Sequence, residues 1–80
     1  VNPGDLCRSA AGSLSLHREL GWSKPGSADD INDGNPLVGL MRPDDVGIIV
    51  AMTHFEHWDW SLVLSGVVLG WRETSYLRSA

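Results

Sequence analysis

Cysteine, basic residues and long apolar runs are all scarce in this chain of 80 residues. Cys7 is the only cysteine, which excludes an internal disulfide and a cysteine zinc cage. Its neighbours Leu6 and Arg8 offer no base to activate a thiol, and His17 stands in no recognised arrangement with it. Cys7 therefore reads as a small apolar core residue. The six basic residues, Arg8, Arg18, Lys24, Arg42, Arg72 and Arg78, are scattered singly, and the net charge is −4. Without a basic stripe to neutralise phosphates, nucleic acid is not an expected partner. No charged-then-apolar leader is visible and no apolar run is long enough to span a bilayer, so a membrane is not expected either. The expected setting is the inside of a cell, or a particle assembled there, and a start at Val1 is consistent with removal of an initiator methionine.

What is present fits one folded domain over residues 1–80, near the lower size at which a single core supports itself. A domain with so thin a reserve gains from a partner or from its own copies. Acids gather at Asp29, Asp30 and Asp33, at Asp44 and Asp45, and at Glu56 and Asp59.

Along the chain, Asn2-Pro3-Gly4-Asp5 is turn chemistry leading into a short strand, Asp5–Arg8. Leu14 and Leu16 alternate as in a strand, whereas Leu16 and Leu20 are four apart as in a helix. Residues 14–20 thus read either as one helical turn or as an arm of a hairpin. From Gly21 to Pro36 the chain is rich in Gly, Pro, Ser, Asp and Asn and reads as a long loop, expected to be functional or mobile. Val46, Ile48, Val50 and Met52 alternate with further apolar residues and predict a well-buried strand. Trp58, Trp60, Leu62 and Leu64 form the apolar face of the next, and Ser65-Gly66 marks a hairpin. Val67, Leu69 and Trp71 share one face of a third strand and Val68, Gly70 and Arg72 the other, with Trp71 the first choice for burial. Thr74–Leu77 reads as a closing turn anchored by Tyr76 and Leu77. Short strands, tight turns and no long helix predict an all-β fold, a closed five-stranded barrel.

Four groups of residues carry a family likeness: Asn2-Pro3-Gly4-Asp5-Leu6, Asp45-Val46-Gly47-Ile48-Ile49-Val50, Val63-Leu64-Ser65-Gly66 and Gly70-Trp71-Arg72-Glu73-Thr74-Ser75-Tyr76-Leu77. Together they resemble the small SH3-like (Src-homology-3-like) barrel proteins of tailed bacteriophages, whose pattern runs "PGDLV", a long variable loop, "GIVL", a strand ending "VLW" and a closing "GW…YL". The resemblance omits residues 10–43, and Val63-Leu64-Ser65 departs from "VLW". It implies a small five-stranded SH3-like barrel with a long loop in its N-terminal half. It also implies a place in the phage particle, assembled in the host cytoplasm.

Catalytic chemistry finds little support. His54, His57 and Asp59 are metal-ligand types, but on a strand His54 and His57 point to opposite faces, and the third partner would be the distant His17. Around Gly34 a calcium-loop frame puts Ile31 and Leu40 at ligand positions, and neither can ligate. No Ser–His–Asp order or phosphate-cradling glycine loop is present. The expectation is a protein that is not an enzyme and holds no cofactor or metal.

Four tryptophans are more than one small core easily encloses. The residues expected to contact a protein partner are Trp22, Asp29, Asp30 and Asp33 in the long loop, and Phe55, Trp58 and Trp60 at the hairpin end. Expected function is that of a virion structural protein: capsid decoration or cement, or a head–tail or tail component. The alternative is a small phage-encoded regulator or inhibitor whose acidic surface occupies a host protein. A reader of proline-rich peptides is disfavoured, because Glu73-Thr74 stands where a groove proline is needed.

Overall fold

The structure, a computed structural model, describes residues 1–20 and 37–80. Among the described residues there are seven strands: β1 (Leu6–Ser9), β2 (Leu14–His17), β3 (Leu37–Met41), β4 (Gly47–Phe55), β5 (Trp58–Ser65), β6 (Val68–Glu73) and β7 (Leu77–Ser79). A 3-10 turn, Thr74–Tyr76, precedes β7. All pairings are antiparallel, in the order β3-β2-β6-β5-β4-β1-β7, and the sheet curls into a half-barrel. The all-β expectation holds. The strand count rises from five to seven because β3 and β7 are short flanking strands that add one pairing each.

Two tight hairpins hold the central three strands. Gly66 at φ 63° and Val67 form the two-residue connection between β5 and β6, with glycine where left-handed backbone is needed first. Between β4 and β5 both connecting residues, Glu56 and His57, have positive φ, at 49° and 74°. This is the type I′ pattern, which normally recruits Asn-Gly because side chains there are strained. His57→Gly is accordingly expected to stabilise the domain by roughly 0.5–1 kcal/mol. Urea unfolding would measure it, and a loss of stability would mean that the His57 side chain itself holds the hairpin.

Strand β4 bends at a bulge. Ile49 stands opposite Val63 and Ala51 opposite Leu62, which leaves Val50 as the extra residue. Before the bulge β4 also pairs with β1, through Leu6 opposite Ile48 and Cys7 opposite Gly47. After it, the strand serves only β5.

The core consists of Cys7, Leu14, Leu16, Met41, Ile49, Val63 and Leu77, with Val1, Met52, Val68 and Tyr76 packed against it. Tyr76 and Leu77 anchor the closing segment as their residue types suggest. Trp71 does not fill the core: it is half-buried, and Gly70, Val68 and Arg72 form the inward face of β6. The reason is space. The paired strands β2 and β3 lie so close that a β-carbon at Gly70 would meet Val38 and Leu16 at 2.7 and 2.8 Å. The apolar alternation of β4 is likewise misleading as a sign of full burial, since Val46, Ile48 and Val50 are exposed.

Cys7 is fully enclosed, and burial pushes its thiol up from 9.0; a hydrogen bond from the Gly47 backbone favours the thiolate and offsets this in part. Because the folded state holds the thiol proton more tightly, this contribution is intact below pH 9.0 and is lost as pH rises beyond it. Alkylation at neutral pH should be slower than in urea by nearly four orders of magnitude, the factor set by a stability of about 5 kcal/mol. Intact-mass kinetics with iodoacetamide would measure this, and labelling at the free-thiol rate would contradict the buried assignment.

Candidate functional site

Two surfaces stand out, and the first is the outer face of the sheet. Leu6 on β1 lies opposite Ile48 on β4, Ile48 opposite Leu64 on β5, and Leu64 opposite Leu69 on β6. One row of four large apolar side chains therefore crosses four adjacent strands, each 36–56% exposed. Val46 continues the face two residues before Ile48, and Val67 stands fully exposed in the hairpin turn at the same end. Isolated exposed apolar residues are ordinary, whereas a contiguous set on one sheet face marks an interaction surface. At the β1–β7 margin Arg8 and Arg78 face each other across the strands, and Arg8 Nη1 donates to the Asp44 carbonyl at 3.1 Å. The row thus has a charged border, as an interface core usually does.

The second surface is a groove of about 550 Å³ between the β4–β5 hairpin end and the closing segment. Trp58 and Leu77 supply its apolar walls, and Asp59, Glu73 and Arg78 its charged ones. The strand register fixes these positions. Phe55 faces Trp58, His54 faces Asp59, and Trp60 faces Glu73. His54 Nδ1 lies 2.9 Å from Asp59 Oδ1, which orients the carboxylate, although both side chains are solvated and the pair contributes under about 1 kcal/mol. Glu73 is only 7% exposed, and its Oε1 accepts the Ser75 hydroxyl at 2.5 Å. Ser61 Oγ and Thr74 Oγ1, 2.7 Å apart, tie the 3-10 turn to β5. Arg72 donates to Ser15 Oγ at 3.0 Å and lies 4.4 Å from the Tyr76 ring centre, which joins β6 to β2 and to that turn.

Of the residues expected to meet a partner, Trp58 is 49% exposed and Phe55 is partly exposed beside it. Trp60 is corrected: only 1% exposed, it is an interior residue whose indole Nε1 donates to the Phe55 carbonyl at 3.2 Å. It shares a face with Trp58 in the alternation, but the enclosed part of that face begins at Trp60. Trp22, Asp29, Asp30 and Asp33 lie outside the described residues. Among the described residues no three His, Cys, Asp or Glu side chains gather as a metal set, and no helix is long and apolar enough to cross a membrane. The outer apolar row went unseen in the sequence. Its signal was there, in strands apolar on both faces within a domain too small to cover both. No protein-family model, curated protein or solved structure matches the chain.

Proposed function

We propose that this chain is a non-enzymatic structural protein of a tailed-phage particle, a capsid decoration or cement subunit or a head–tail or tail component. In this reading its half-barrel is of the SH3-like type, and it works through contacts with other virion proteins or its own copies. The observation that carries the contact reading is the apolar row Leu6–Ile48–Leu64–Leu69 on the open face of the sheet. A side chain there stabilises nothing within the chain as fully as it would stabilise an interface. The motif resemblance supplies the phage setting. The 3-10 turn before the last strand and the pairing of the first and last strands support the barrel type.

Mass spectrometry of purified particles should find this chain at a fixed copy number. Leu64→Lys and Leu69→Lys should abolish its incorporation while changing stability by no more than about 0.5 kcal/mol, as expected at exposed sites. Absence from particles, with the purified protein monomeric and indifferent to them, would overturn the proposal. Capture of one host protein in stoichiometric amount, together with that absence, would support the regulator reading instead.

A further inference from the structure

The outer sheet face is larger than its central row. Leu62 on β5 lies opposite Trp71 on β6, and alternation puts both, partly buried, on the side of Leu64 and Leu69. On β4, Val46 and Val50 flank Ile48 and are 42% and 49% exposed. None of these positions carries a charge. Two observations indicate what covers them. The first is area. With the row Leu6–Ile48–Leu64–Leu69 they leave roughly 500 Å² of apolar surface in solvent, so two such faces joined remove about 1,000 Å², where specific interfaces begin.

The second is the border, which carries both signs of charge and does not pair them internally. Arg8 and Arg78 stand directly opposite each other on β1 and β7, an unfavourable like-charge pair. Neither guanidinium forms an ion pair among the described residues, nor does the exposed carboxylate of Asp44, whose carbonyl accepts from Arg8. Under a twofold rotation the acid of one copy meets a base of the other, so this border complements itself.

We propose that the outer face joins two copies of this chain face to face, in a twofold-symmetric and readily reversible dimer. The inference rests on the contact reading above and narrows it to one occupant, a second copy. Two sheets packed in this way lie about 10 Å apart, with the apolar side chains of each interleaved between them. A strongly charged partner would instead strand its charges against a face that has none.

Sedimentation velocity of the whole chain from about 10 μM to about 1 mM, the range in which so small an interface assembles, should show a monomer–dimer equilibrium. Half-filtered NMR on a mixture of ¹³C-labelled and unlabelled chains should give contacts between copies at the Leu6, Ile48, Leu64 and Leu69 methyls. Leu64→Lys and Leu69→Lys should each weaken the dimer about tenfold or more. Arg78→Glu should weaken it severalfold, and adding Asp44→Lys should restore it. Trp58→Ala, at the exposed hairpin end, should leave it unchanged. A monomer throughout this range, or a dimer that both lysine variants leave intact, would overturn the inference. If the chain is monomeric and Leu64→Lys still abolishes incorporation into particles, only the choice of occupant fails. If incorporation also survives that change, the contact reading fails with it.

Discussion

Trp60→Ala is expected to cost about 3–5 kcal/mol, the range for removing a large enclosed aromatic. Against the lower end of domain stabilities, about 5 kcal/mol, such a loss leaves the protein barely folded or unfolded at room temperature. Trp60 stands outside the cluster around Leu16, Met41, Ile49 and Val63, so it fills a second enclosed region where β5 meets the end of β6. Removing it opens a cavity and also leaves the Phe55 carbonyl without its indole donor. Trp58→Ala, two residues earlier on the same strand, should cost less than about 1 kcal/mol, because half of that side chain is already in solvent. Thermal and urea unfolding of both variants checks the contrast. A near-equal cost would mean that the two rings share the hairpin end differently from the burial described.

Gly70→Ala is the second change with a large expected effect, and it adds only one carbon. A β-carbon at Gly70 would lie 2.7 Å from Val38 Cγ2, 2.8 Å from Leu16 Cβ and 3.1 Å from the His17 backbone nitrogen. Two of these three neighbours are fixed close to the backbone and cannot rotate away. Overpacking of this kind costs about 2–3 kcal/mol. The contact is reciprocal: a β-carbon at Gly39 on β3 would lie 2.7 Å from both methyls of Val68 on β6. Val38 therefore sits over one glycine and Val68 over the other, which lets β3 close onto β6. In a double-mutant cycle Val38→Ala should recover part of the Gly70→Ala loss, but not the part due to Leu16 and His17. No recovery would mean that Val38 does not press on this position.

The central strands were legible because each shows a period of two over at least six residues, and Ser65-Gly66 marks the turn between β5 and β6. Strand β3 was not legible. Leu37–Met41 is five residues long, has glycine in its middle, and follows a stretch with no strand signal. Its pairing with β2 also carries a register shift at Leu16/His17, which blurs the periodicity of both partners. The two faces of β6 were read correctly but assigned the wrong way round. Bulk suggested that Trp71 points inward, whereas the limiting quantity inside is the distance to the paired strands β2 and β3, and no single strand displays that. For the candidate sites, residue type pointed to the hairpin end, and Trp58 and Asp59 do line the groove. Glu73 could not be found this way, because a charged residue at a strand end reads as exposed, whereas here it faces the enclosed Trp60 on β5 and accepts the Ser75 hydroxyl.

The pairing of β1 with β7 also has a temporal consequence. Ser9 faces Leu77 and Cys7 faces Ser79, so partners come from opposite ends of the chain, and Leu77 belongs to the core. During folding the β4–β5–β6 meander can assemble early from neighbouring segments, but β1 has only β4 beside it until β7 docks. Such non-local closure makes folding slow for a domain this small, on the order of milliseconds to seconds. Until then the edge of β1 and one side of the core stay open to other chains, so the last strand acts as a latch against premature association.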